Sequence, residues 1–240
     1  MKKIFQKNEL LFALLWIFVY VAGFSCADQL SKSIGIEKLI TVCLGLVLSS
    51  VLLAFIFRNR LFRHTGLCAF EGSVRNCLYF IPLAVLSLVN VWNGFQMNYS
   101  AFVSVLWLVS MLFVGFLEEI IFRGLLFNAM RKDNLKTAVI VSSLTFGIGH
   151  IVNLLSGAPF LDTLLQIVYA SAIGFLFTVI FLTGKSLLPC IAAHAFINMT
   201  SVFARPVTDT GNILFAAFQT LLSIAYGVWI LKKEGSRPAA

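Results

Sequence analysis

The sequence predicts an all-α fold, a polytopic membrane helical bundle of about eight transmembrane helices, forming a single integral-membrane domain over residues 1–240. Three observations carry this. First, 60% of the 240 residues are hydrophobic and only 12% are charged, whereas a soluble domain carries about 25% charged residues because its surface faces water. Second, the mean hydropathy is +0.95. Third, the apolar residues fall in long continuous runs, and a run of roughly 20 crosses about 30 Å of hydrocarbon. Only a helix satisfies its own backbone donors and acceptors in lipid, so the runs read as helices. The same composition excludes a disordered chain, a coiled coil, a disulfide-rich scaffold and an ordinary cytosolic enzyme.

The runs, in order, cover residues 10–27, 38–57, 77–93, 101–122, 137–155, 163–183, 187–204 and 212–231. The first follows MKKIFQKNEL and resembles a signal peptide, but it is long and no A-x-A site follows, which favours an uncleaved span. Between the second and third lies the longest polar stretch, 58–76, whose charges are interleaved with Leu61, Phe62, Leu67 and Phe70 as in an interfacial segment. His64 there reads as a solvated loop residue. The seventh run has the weakest hydropathy, because Pro189 and residues 192–194 interrupt it. No run shows the alternating ten-residue pattern of an outer-membrane barrel. Cys26, Cys43, Cys68, Cys77 and Cys190 show no CxxC or metal-finger spacing and behave as small hydrophobes in or beside spans.

The net charge of +8 suggests nucleic acid until the charges are placed. Lys2, Lys3, Lys7, Arg58, Arg60, Arg63, Arg75, Arg131, Lys132, Lys136, Lys185, Lys232, Lys233 and Arg237 all fall on one side of an even-numbered bundle. Lys32, Lys38 and Arg205 fall on the other. The positive-inside rule then puts both termini in the cytosol, as expected of a multi-pass protein of the cell membrane. The basicity is a topology signal, and no nucleic-acid partner is expected; the lipid bilayer is.

Of the 28 charged side chains, all but Glu118, Glu119 and Arg123 fall in loops or at span ends. His150 and His194 also lie in spans. A charge in mid-bilayer costs about 2.5–3.5 kcal/mol on insertion scales, and such residues mark function by default. At 3.6 residues per turn, Glu119 and Arg123 share a face and can pair. Glu118 points elsewhere, and burial penalises the charged form of whichever carboxylate lacks a cation, which suits a general base. The plainer reading is a charge pair at a helix end, with Glu118 reaching the interface.

Phe146 and His150 share a face of the fifth span, where Gly147 and Gly149 leave the backbone bare for close approach. A lone histidine there is more often a packing residue. His194 and Asn198 share a face of the seventh span. They either clamp two helices together or present two donors to one point, as an oxyanion hole does. Rises of 1.5 Å per residue put His194 about 13 Å from Lys185, His150 about 21 Å from Lys136 and Glu118 roughly 20 Å from Arg131. All are therefore expected to meet in the cytosolic half of the membrane.

The three motifs EExxxR (Glu118, Glu119, Arg123), FxxxH (Phe146, His150) and HxxxN (His194, Asn198), in that order, resemble those of the CPBP (CAAX protease and bacteriocin-processing, or Abi) intramembrane proteases. The resemblance covers a core of about residues 100–204. It implies an intramembrane endopeptidase, a type II CAAX prenyl endopeptidase-like enzyme, acting on a membrane-tethered protein or peptide near the cytosolic face. Carried over by position, Glu118 activates water, His150 helps hold it, His194 and Asn198 stabilise the oxyanion, and Glu119, Arg123 and Phe146 support them. No cofactor is favoured. Zinc on Glu118, His150 and His194 is the alternative, since such a set leaves a position for water; against it, there is no HExxH and Asn198 is a better oxyanion donor than ligand. The competing functions are a transporter using the same residues as a proton relay, for which no inverted repeat is visible, and a non-catalytic bacteriocin-immunity or scaffold protein.

Overall fold

The computed structural model describes residues 1–71 and 80–235. Arg75 and Cys77, the start of the 77–93 run, and Arg237 lie outside the described residues. All regular elements among the described residues are helical. A short α1 (Lys2–Lys7) leads into α2 (Glu9–Ser33), which returns through α3 (Leu39–Asn59). Next come a single turn, α4 (Phe62–Thr65), and the short apolar α5 (Phe80–Ser87), extended by a 3-10 turn at Val89–Val91. The longest helix begins as α6 (Ala101–Glu119), passes through a π-helical stretch (Ile120–Phe127) and ends in α7 (Asn128–Met130). It is followed by α8 (Leu135–Ile148) with a 3-10 extension (Gly149–Ser156), α9 (Phe160–Gly184), α10 (Leu188–Ser201) and α11 (Asp209–Gly235).

Among the described residues six helices are long and apolar enough to cross a membrane: Glu9–Ser33, Leu39–Asn59, Ala101–Met130, Leu135–Ser156, Phe160–Gly184 and Asp209–Lys233. The other two expected spans are shorter helices among the described residues. Phe80–Val91 is apolar but brief, and α10 has 14 residues, a rise of about 21 Å. Pro189 sits at the start of α10, where its missing N–H costs nothing. This accounts for the weak hydropathy of the 187–204 run: the helix is short.

Polar side chains fix the ends. The Asn8 Oδ1 accepts from Leu11 N at 2.8 Å and the Asn134 Oδ1 from Thr137 N at 3.0 Å, so each N-cap satisfies a donor the helix leaves open. Helix α9 packs between α8 and α11, while α6 packs on α10 and α3, and α2 lies against α3 and the π-helical stretch. Their buried faces form one core through Trp16, Leu52, Ile121, Phe127, Phe177 and Ile180. The outward faces are apolar too: Phe18, Phe57, Leu155, Phe160 and Leu221 are exposed, as the surface of a bundle in lipid requires.

The two ends of the bundle differ. At the basic end, Lys132 Nζ meets Glu9 Oε1 at 2.6 Å and Lys185 Nζ meets Glu71 Oε2 at 2.9 Å. His64 is not the solvated loop residue expected. It packs edge-on against Phe5, 5.6 Å between centroids, and burial pushes its imidazole pKa down. At the opposite end, Lys38 Nζ meets Asp28 Oδ2 at 2.8 Å and lies 4.2 Å from the Trp107 ring centroid. Trp107 Nε1 in turn donates to Glu37 Oε2 at 3.1 Å.

Candidate active site

Glu118 and Glu119 stand where α6 changes its hydrogen-bond ladder, immediately before the π-helical stretch Ile120–Phe127. Such stretches are rare and frequent at functional sites. Arg123, inside it, is fully buried with Glu119, and its Nη1 donates to Glu119 Oε1 at 3.0 Å. The guanidinium carbon lies 4.1 Å from the Phe146 ring centroid and 5.7 Å from that of Phe177, so aromatic faces take the place of water around the cation.

Glu119 Oε1 also lies 2.8 Å from His194 Nδ1. A carboxylate already paired with a guanidinium only accepts, so Nδ1 carries the proton and donates. That turns His194 Nε2 toward Glu118, 3.6 Å from Oε2, where it donates only when the ring holds both protons. One carboxylate thus anchors both the arginine of the π-helical stretch and the histidine of α10.

Glu118 is 9% exposed. Its Oε1 accepts from the Tyr20 hydroxyl at 2.6 Å, while Oε2 makes no hydrogen bond with any described residue. Tyr20 belongs to α2, and the sequence analysis missed it. A signal exists: a buried tyrosine hydroxyl finds a partner, and position 20 lies near the middle of an apolar span.

Phe146 is the hub of the site. Its ring stands nearly perpendicular to those of His150 and His194, with centroids 5.7 and 5.5 Å apart. His150 is the second residue of the 3-10 extension after α8, and Asn198 lies one turn beyond His194 on α10. Glu118, Phe146, His150, Asn198 and Tyr20 all line one cavity of about 630 Å³, a size that holds a small ligand or a short peptide stretch. Glu119, Arg123 and His194 form the buried layer beside it. All seven residues singled out from the sequence therefore meet, but His194 is held between two carboxylates rather than standing beside Asn198 in the cavity wall.

Close backbone approaches set this geometry. A Cβ on Gly115 would lie 2.7 Å from Ala195 N, and one on Gly174 would lie 2.8 Å from Arg123 Nη2. Of the two glycines in the FxxxH segment, Gly147 does face a neighbour, since its Cβ would meet Ile167 O at 2.6 Å, whereas nothing approaches Gly149 within 4 Å.

Among the described residues no three His, Cys, Asp or Glu side chains gather closely enough to hold a metal ion. Residues 100–200 match the family model for the type II CAAX prenyl endopeptidase Rce1-like proteins. No curated protein and no solved structure matches the chain.

Proposed function

Because residues 100–200 are an Rce1-like type II CAAX prenyl endopeptidase domain of the CPBP family, we propose that this chain is a multi-pass intramembrane endopeptidase using a glutamate-activated water. The observation that carries the reading is the split environment of Glu118. Tyr20 fixes one oxygen at 2.6 Å, and the other is buried with no hydrogen bond to a described residue, on a side chain that lines the cavity. A carboxylate held by one oxygen and unpartnered at the other is a positioned base.

In the proposed reaction, Glu118 Oε2 takes a proton from a water held beside His150. The hydroxide oxygen forms a bond to the carbonyl carbon of the scissile peptide, and the carbonyl oxygen gains the negative charge. Asn198, in the cavity wall, donates to that oxygen, and His194 is the second donor, from Nε2 when its ring holds both protons; donors placed where charge develops are commonly the largest catalytic term. The C–N bond then breaks and Glu118 returns its proton to the leaving amine, so one water has been added across the bond. Glu119, Arg123 and Phe146 hold His194 and the helices in place. The substrate is a membrane-tethered protein or peptide, with both termini of the enzyme in the cytosol.

Incubating the purified protein with a library of membrane-tethered peptides, wild type against Glu118→Gln, tests the reading. Glu118→Gln keeps the shape but takes no proton, so cleavage is abolished while melting is unchanged. Wild-type activity survives strong chelators. Cleavage by the Glu118→Gln protein, or wild-type activity that disappears on chelation and returns with zinc, refutes the glutamate mechanism. Transport of a solute with no peptide cut by either form identifies a carrier instead.

A further inference from the structure

The cavity opens away from the basic end of the bundle. Its outer wall is built from Asp28 and Lys38, at the α2–α3 turn, Tyr99 and Trp107, at the start of the α6 helix, and Ser156 and Gly157, between the 3-10 extension and α9. These are the ends opposite the arginine- and lysine-rich loops. Toward the basic end the way is closed. Every residue from 117 to 128 is buried, and α4 tucks beneath the π-helical stretch, with Asn128 Nδ2 donating to His64 O. The segment after α4 seals onto the α9–α10 turn through Leu187 N to Gly66 O at 2.8 Å, Ser186 Oγ to Cys68 O at 2.6 Å and Glu71 N to Gly184 O at 2.9 Å.

Among the described residues twelve basic side chains lie at the closed end and three at the open one, an asymmetry that by the positive-inside rule places the closed end in the cytosol. Depth along single helices set the site in the cytosolic half of the membrane, and on this orientation the way into it comes from the other half. Glu118 lies nearer the basic end of its helix, but the space in front of it leads to the other face.

Resting on the peptidase reading above, we propose that substrate enters from the non-cytosolic face, and that it is a polypeptide segment exposed on that face by a membrane-tethered protein. The lining agrees with this class. Lys32, Lys38 and Arg205 at the open end are offset by Asp28, Glu37, Asp162 and Asp209, so the mouth has no field to select a polyanion or a polycation. Farther in, Asn198 and the hydrogen-bonded pair Asn153 and Gln166 alternate with Phe24 and Met111. Ser110 is among the lining residues, and its hydroxyl is buried with no protein partner among the described residues. Amides and hydroxyls between apolar patches match a peptide backbone with mixed side chains.

Single cysteines in a chain stripped of its own cysteines test the entrance without reference to activity. Ser25→Cys reports the cavity wall, Ser156→Cys its exposed rim, and Lys136→Cys the basic end. With a membrane-impermeant maleimide, the first two are modified in intact cells and Lys136→Cys only after permeabilisation. Ser156→Cys gives the same readout if a cysteine at position 25 disturbs the fold. Modification of Ser25→Cys and Ser156→Cys only after permeabilisation overturns the proposal. Two single-span reporters, carrying the same cleavable library on one face or the other, test the substrate class. Cutting is confined to the reporter displayed on the non-cytosolic face and is lost in Glu118→Gln. Cutting of the cytosolic reporter overturns the access proposal alone. Maleimide labelling as expected, with neither reporter cut, overturns the peptidase reading and leaves the entrance standing.

Discussion

Tyr20 and Glu119 show how differently two residues of one site are written in a sequence. Glu119 and Arg123 were legible because both are charged, both lie in a span and four positions separate them; the observed 3.0 Å pair is the simplest outcome of that spacing. Tyr20 was illegible because nothing local ties it to a carboxylate 98 positions away. Its hydroxyl donates to an acidic group, a bond of about 1.5–3 kcal/mol, and its removal frees Glu118 to rotate. Tyr20→Phe should therefore lower kcat by about 10–100-fold, at 1.36 kcal/mol per decade, with KM little changed. Steady-state kinetics on the two proteins decide this. An unchanged kcat would mean that Glu118 is oriented by other groups, and the role given to Tyr20 would be withdrawn.

At the scale of elements, six of the expected helices were legible from run length and hydropathy because lipid demands a fixed length of apolar helix. Two features were not. The change to an i→i+5 ladder after Glu119 leaves no trace in hydropathy, since Ile120–Phe127 is as apolar as what precedes it. The shortness of α10 was visible only as weakness in its run, and Pro189 supplies the physical reason. What holds α10 against α6 is a backbone contact at Gly115, one residue from the histidine-bearing turn. Gly115→Ala would place a methyl 2.7 Å from Ala195 N, and overpacking of this kind typically costs about 1–3 kcal/mol. The bundle should still form, with a lower melting temperature, while α10 moves off α6 and carries His194 away from Glu119. Activity should fall more than stability does. Melting and turnover measured together check this, and a variant that melts and cuts like wild type would show that the two helices separate without harm to the site.

For the molecule as a whole, the charge asymmetry of the loops gave an orientation, and the motif order gave a set of residues expected to meet at one depth. Neither contained the direction from which that meeting point is reached. Distances counted along single helices locate a residue between two faces, but which side stays open depends on how α4, the π-helical stretch and the α9–α10 turn close over one another. Those contacts involve Gly66, Cys68, Ser186 and Leu187, residues whose types announce no partner.

On the access proposed above, the seal at the basic end leaves the opposite mouth as the way into the cavity among the described residues. Whatever is cut inside must leave by the way it came, so a spent fragment stands in the path of the next chain. The fragment released from the cavity side should act as a competitive inhibitor, raising KM while leaving kcat untouched, and initial rates measured with added fragment would reveal it. On the peptidase reading such a site shortens a tail or clips an exposed loop, and does not thread a chain from one side of the membrane to the other.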